Sequence, residues 1–517
     1  MNKQYHITLL GGSNSVIKTG LSQGLCHFGN VVLHNFALGA TTSIQNLYEL
    51  KREKNKKDIC LSDLVITESN INDIGQFSNP YEKIPLHVVF RNLELLYYEL
   101  HVLKKPVLNI ILPYSPNSSY KIINNIHKYL SNKYSINVID MQMYYEEHDL
   151  VSFGNLFDGG VHQMSSIMRE LGKNIVVNIE NFAKPEVLRQ LDIDIRICNY
   201  NDMMIKFDKS YFVEIKNSMY NEKAYKIQNN SKIYFKDFLY GYHLIALHVW
   251  NNENKNVDFQ RERFFIAQML LSNRKINILK EFNLSNQVLE LHHQFLIDQN
   301  SVLSLYHDII ANCLVENYTH ALSYDKNAKI INYINLISCI CVKNIDVIDI
   351  NLEYIYNDNL KINNKLCFDN LIPPISVYKE IIDEYCLKLS LVKKSVFGAK
   401  QIIKNKLPYK LGQVMVTNSK SLLGYIKMPF MLFFITYKHN KEEKIYQEKI
   451  KKDPSSKLQP LEFYIDYKEA LKEKECFTYK LGEEFIKSSK NWYWGGGGYI
   501  KFIFKDVPRL KREYNKN

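Results

Sequence analysis

Short apolar runs alternate with amphipathic stretches over roughly the first 175 residues. Tyr5–Leu10 reads as a strand that stops at Gly11-Gly12, and a helix can begin near Asn14. Asn30–Phe36 is a second strand, Leu61–Thr67 a third, Pro106–Leu112 a fourth and Ile136–Asp140 a fifth. Between and after them, Thr42–Lys54, Pro85–Leu103, Ser118–Tyr134 and Met164–Leu171 have helical spacing. Strands alternating with helices predict an α/β domain with a parallel sheet and helices on both faces. In such sheets ligands bind beyond the carboxyl ends of the strands.

After about residue 180 the pattern changes. Asp192–Val249 holds several strand-like runs separated by turn-prone Asn, Asp and Lys, which predicts an antiparallel sheet or sandwich. Phe264–Cys313 reads mainly helical, with Leu and Ile three to four residues apart. Residues 330–435 return to strand-like runs, with a helix over Ile381–Leu391. The expected division is a three-layer αβα domain over 1–180, a β-rich then helical region over 181–325, and a mixed, β-containing domain over 326–517.

Length and composition constrain this picture without changing it. A chain of 517 residues suits about three domains. With 46% hydrophobic and 23% charged residues it can bury sizeable cores, which excludes wholesale disorder. Lys and Arg exceed Asp and Glu by 66 to 54, a net +12. Spread over this length, that excess does not by itself indicate nucleic acid, and none is expected as a partner. The 36 Tyr and 26 Phe against 3 Trp, with many Asn, Lys and Ile, carry the colour of an AT-rich genome. The nine cysteines are scattered, and only Cys339 and Cys341 are close in sequence, so reduced buried thiols are expected in place of disulfides or a zinc site.

No long apolar run of the signal-peptide kind follows the amino terminus. The most membrane-like window, Leu422–Tyr437, is short for a span and is interrupted by Lys427 and Pro429. A soluble cytoplasmic protein is expected, with peripheral membrane association left open. Lys438–Lys457 reads as a solvated helix and linker. The glycines of Trp492–Gly498 suit a tight turn or bulge, and no P-loop Lys-Ser/Thr follows them.

The informative segment for chemistry is Gly11-Gly12-Ser13-Asn14-Ser15, directly after the first strand. A serine there sits at the carboxyl edge of the sheet, where backbone N–H groups and a helix start can stabilise an anion. The same five residues also make a good turn and helix cap. They match neither the GxSxG elbow nor the GxGxxG fingerprint. Gly39 follows the second strand, where its N–H can approach a bound carbonyl. Asn72, beside Asp73, follows the third strand and its amide can donate to the same oxyanion. Asp158 and His162 lie near the end of the domain. A neutral imidazole can take a serine proton and a carboxylate can orient it.

Ser, Gly, Asn-Asp and then Asp and His, in that order on those elements, resemble the blocks of the SGNH, or GDSL-type, hydrolase superfamily. Ser13, Gly39, Asn72 and His162 match the four residues that give the family its name. Gly-Gly-Ser stands where Gly-Asp-Ser is more common, and Asn70 replaces a family glycine. The family's Asp lies three residues before the His; here that position is Gly159 and Asp158 lies four before. Either a one-residue bulge preserves a triad, or a Ser–His dyad operates. The resemblance covers residues 1 to about 175 and implies a flavodoxin-like αβα domain acting on esters without metal or organic cofactor. It implies Ser13 as nucleophile, His162 as base, Asp158 as its orienting group, and an oxyanion hole from Ser13, Gly39 and Asn72. The Gly-Gly-Ser-Asn-Ser and Leu-Gly-Ala-Thr-Thr-Ser wording is similar to that of proteins linked to bacterial surface polysaccharides. This implies an O-acyl, foremost acetyl, ester of a carbohydrate as substrate. Polysaccharide O-acetyl transfer and non-catalytic glycan binding are the alternatives, and the sequence leaves the oligomeric state open.

Overall fold

The computed structural model describes the chain except residues 1–2, 81–82, 157, 186–189, 207–211, 229–230, 253–263, 307–311, 318–326, 349, 351, 358–359, 397, 454–456, 459, 465, 491–496 and 515–517. Five strands, β1 (Tyr5–Leu10), β2 (Val31–Asn35), β3 (Leu64–Thr67), β4 (Val107–Ile111) and β5 (Asn137–Asp140), form a parallel sheet in the order β2-β1-β3-β4-β5. β3 and β4 are buried at every position, as expected of central strands covered on both faces. The helices Ser43–Lys51, Leu86–Val102 and Ser119–Tyr134 supply Leu47, Leu93, Leu96, Ile126 and Leu130 to one core; Ser165–Val177 packs against Leu21–Leu25. The N-terminal region is thus the expected αβα arrangement around a parallel sheet.

The described strands of the next part form two sheets. Its strands are β6 (Asp194–Asn199), β7 (Met203–Lys206), β8 (Phe212–Lys216), β9 (Asn221–Ile227), β10 (Lys232–Phe235), β11 (His243–Trp250), β12 (Phe265–Ser272), β13 (Asn277–Phe282), β14 (Asn286–Leu296), β15 (Val302–Leu305), β16 (Cys313–Glu316), β17 (Lys329–Ile330) and β18 (Ile334–Lys343). One sheet runs β14-β11-β18-β9-β8, with β6 on β18, and is antiparallel. The other runs β16-β13-β12-β15-β10-β7, with β17 on β12, and is mixed.

The expectation of helix over Phe264–Cys313 is therefore wrong: the segment holds β12 to β15 and the start of β16. The reason lies in the layering. In the first of these sheets, β11, β14 and β18 are buried at most positions on both sides. Val288, Ile340 and Val342 join the core of the αβα domain, while Leu289, Leu291, Cys339 and Cys341 face a second core shared with the other sheet. Strands without a polar face lose their alternation, and apolar spacing then does not distinguish them from helix. The layers are also tied by polar contacts. Arg52 donates to Glu222 at 2.7 Å, and Tyr48 shares hydrogen bonds with Ser338 and His248, each at 2.7 Å.

The chain divides into two compact units, Met1–Ser376 and Val377–Asn517. Within the second, no described residue forms a strand, so the expected β content after residue 326 ends with β17 and β18. Helices Leu407–Asn418 and Phe477–Lys490 cross closely where both carry glycine. A Cβ on Gly412 would lie 1.7 Å from the Thr478 carbonyl, and one on Gly482 1.8 Å from that of Pro408. Of the charged stretch 438–457, expected as solvated helix and linker, residues 438–452 form the second half of one helix, Leu422–Lys452, and residues 454–456 lie outside the described residues. Of Trp492–Gly498, residues 492–496 lie outside the described residues, and Gly497 and Gly498 begin a helix.

Candidate active site

β1 ends at Leu10, and Ser13 opens a single helical turn, Ser13–Val16, at the carboxyl edge of the sheet. Glycine is required just before it. A Cβ on Gly11 would lie 2.4 Å from Ser15 Oγ, and one on Gly12 would lie 2.2 Å from Asn72 Nδ2. That second approach places the Asn72 amide against the backbone that precedes Ser13. Gly39 reaches Ser13 from the loop after β2: a Cβ there would stand 3.6 Å from Ser13 Cβ. Asn72 donates to the Thr41 carbonyl at 2.8 Å, and Asp73 accepts from the Ser43 N–H at 3.0 Å. The helix Asn70–Phe77 after β3 therefore fixes the loop after β2.

From the far end of the domain, His162 Nε2 lies 2.9 Å from Ser13 Oγ. Asp158 Oδ2 is hydrogen-bonded to His162 Nδ1. The four-residue spacing is absorbed by three consecutive left-handed residues, Asp158 (φ 51°), Gly159 (φ 60°) and Gly160 (φ 82°). Aspartate tolerates that region better than most residues and glycine adopts it freely. At Gly160 the choice is also steric, because a Cβ would meet Asn155 Oδ1 at 2.6 Å. The turn closes with Val161 N–H donating to the Asp158 carbonyl at 3.1 Å. The His162 and Asp158 side chains are 31% and 57% exposed, so the constellation opens to solvent.

Two residues beside this constellation are not among those the sequence pattern singles out. Asn14 is buried, donates to the Val161 carbonyl at 3.0 Å and accepts from the Gln163 N–H at 2.8 Å. It thus binds the residues on either side of His162 to the residue after Ser13. Glu68, 2% exposed at the end of β3, accepts from the Gly12 N–H and the Ser15 hydroxyl, each at 2.8 Å. Burial pushes its carboxyl up to about 7, against the opposing pull of those hydrogen bonds. An acidic residue closing an apolar strand was the available hint to Glu68. The bonds of Asn14 cross about 150 residues of sequence, and nothing local announces them.

The metal-capable group found among the described residues is elsewhere. Cys198 on β6 and Cys339 and Cys341 on β18 hold their sulfurs within 4.8 Å of one another, in the core between the two β sheets. All nine cysteines are free thiols.

A family described as "Domain of unknown function (DUF8374)" matches residues 316–516. Comparison with curated proteins gives no match. Among solved structures, the chain is similar to a lipase/acylhydrolase from Enterococcus faecalis, at 18% identity over 35% of this chain and 98% of that one, with a TM-score of 0.28. It is also similar to TesA, at 16% identity over 34% and 97% of the two chains, TM-score 0.27. An acetylxylan esterase, Axe2, from Geobacillus stearothermophilus gives 16% identity over 34% and 93%, TM-score 0.27. Each of these likenesses covers about a third of this chain.

Proposed function

We propose that the N-terminal domain is a serine esterase that cleaves O-acyl, foremost acetyl, esters of a carbohydrate through an acyl-serine intermediate. The observation that carries the reading is the hydrogen-bonded series Ser13 Oγ, His162 Nε2, His162 Nδ1, Asp158. Ser13 Oγ attacks the acyl carbonyl carbon while its proton passes to His162 Nε2. The tetrahedral oxyanion is held by the N–H groups of Ser13 and Gly39 and by the Asn72 amide. One such donor contributes about 3 kcal/mol of transition-state stabilisation. Collapse expels the alcohol, which takes the proton from His162, and leaves the acyl-serine. Water then repeats the sequence, His162 accepting its proton, and releases the carboxylic acid and free Ser13. Asp158 holds His162 with Nδ1 protonated, so that Nε2 is the basic nitrogen.

The contact between Asp158 and His162 weighs against a decayed site that only binds glycan. The carbohydrate part of the reading rests on the resemblance of the Ser13 and Gly39 segments. The test is acetate release from acetylated xylo-oligosaccharides by the wild-type chain and by Ser13→Ala. Release by the wild type alone supports the proposal; release by neither, or equally by both, overturns it. With a glycan acceptor added, acyl-glycan formed with little free acid would replace hydrolysis by transfer.

A further inference from the structure

The positive charge of the chain is confined to one unit. Residues 377–517 hold 29 Lys and Arg against 16 Asp and Glu, a net +13, while residues 1–376 hold 37 against 38, a net −1. Between Glu384 and Glu442 there is no acidic residue and there are eleven lysines.

The same stretch contains a large exposed apolar face. In the first half of the helix Leu422–Lys452, Gly424, Met428 and Leu432, four residues apart, turn toward the unit's interior. The opposite face presents Leu423, Ile426, Phe430, Phe433, Phe434 and Tyr437 to solvent, with Phe430 and Phe433 each 76% exposed. Lys427 and Lys438 flank that face, Lys420 lies just before the helix, and all three are exposed. A second patch, Ile500, Ile503 and Phe504, is exposed and interleaved with the exposed Lys501 and Lys505. A cavity of about 1190 Å³ lies between the two, lined by Met428, Leu432 and Phe433 on one side and Tyr499, Phe502 and Ile503 on the other. Phe433 and Ile503 are both exposed and both line it, so the two patches meet at its mouth.

Clustered exposed apolar side chains of this extent mark an interaction surface. A net charge of +13 opposes pairing with a second copy of the same face and favours an anionic partner. An apolar helix face bordered by lysines is the arrangement of helices that lie in the bilayer interface. No helix among the described residues is long and apolar enough to cross a membrane. We infer that the helical unit 377–517 binds the surface of anionic bilayers, laying Leu423, Ile426, Phe430, Phe433, Phe434 and Tyr437 at the headgroup boundary with the lysines against lipid phosphates.

The test is co-sedimentation of the full chain with vesicles of phosphatidylcholine alone and of equal parts phosphatidylcholine and phosphatidylglycerol, together with its mass in solution. Binding to the anionic vesicles should exceed binding to the neutral ones by about tenfold or more, and should fall away near 1 M salt, where the screening length is about 3 Å. Replacing Phe430, Phe433 and Phe434 together by Ser should weaken anionic-vesicle binding about tenfold without altering the melting curve, because these side chains are exposed. A triple Lys420→Glu, Lys427→Glu, Lys438→Glu variant should do the same while leaving the apolar face intact. No binding, or equal binding to both vesicles, would overturn the inference. So would a dimer that the Phe-to-Ser replacements dissolve, which would assign the face to a second copy.

Discussion

Asn14→Ala tests whether the His162 loop is held in register with Ser13 by a side chain that takes no part in the chemistry. Asn14 is 4% exposed and makes hydrogen bonds of 3.0 Å to the Val161 carbonyl and 2.8 Å from the Gln163 N–H. Truncation removes both partners at once and leaves the Gln163 N–H without its acceptor. A buried group so orphaned costs about 1–3 kcal/mol, so the loop regains freedom at a moderate cost in stability. The kinetic effect is larger than that figure suggests. The Ser13–His162 contact is 2.9 Å long, and a displacement of about 1 Å in such a pair costs on the order of 100-fold in rate. Turnover of 4-nitrophenyl acetate should therefore fall about 100-fold in kcat with KM little changed. Asn14→Asp keeps the acceptor for Gln163 and should fall between the two. The reasoning fails if Asn14→Ala keeps kcat within about threefold of wild type while His162→Ala loses the several orders of magnitude expected of a lost base.

Further expectations follow from the same geometry. In Gly12→Ala the new Cβ would stand 2.2 Å from Asn72 Nδ2, so the amide must move; kcat should drop about 10²–10³-fold, as for a lost oxyanion donor, and an unchanged kcat would remove Asn72 from that role. Asp158→Ala should cost roughly 10²–10⁴-fold, because the imidazole loses the group that fixes its tautomer; a loss below about tenfold would favour the Ser–His dyad. Glu68 is held up to about 7 from an ordinary 4.5, so between those values the folded state keeps a proton that the unfolded chain has released. Its contribution is full below pH 4.5 and is lost as pH rises to about 7, a change of about 3 kcal/mol. Denaturant unfolding at pH 5 and pH 8 should show that difference shrinking in Glu68→Gln, and equal differences in both proteins would refute the assignment.

The αβα domain is legible in the sequence because its strands are short apolar runs and most of its helices keep a polar face. Strand positions follow from that alternation, and with them the placement of Ser13, Gly39 and Asn72 after β1, β2 and β3. The pairing of Asp158 with His162 was open, since it depends on three left-handed residues in a row that spacing alone does not reveal. Glu68 and Asn14 act through partners 53 to 149 residues away. Over 264–313 the strands are hard to tell from helix, and in β14 the reason is direct: Val288 and Leu289 point into different cores, which erases the polar face that identifies a strand. The helix Leu422–Lys452 was divided in the sequence because its composition switches from apolar to charged midway, although its backbone continues.

The central claim is that Ser13 is a nucleophile activated by His162. The direct measurement is mass-spectrometric mapping of the full-length protein after reaction with a fluorophosphonate. The account predicts one phosphonyl group per chain, on the peptide containing Ser13, with none in Ser13→Ala and strongly slowed labelling in His162→Ala. A folded wild-type chain that stays unlabelled, or label that persists undiminished in Ser13→Ala, would contradict it.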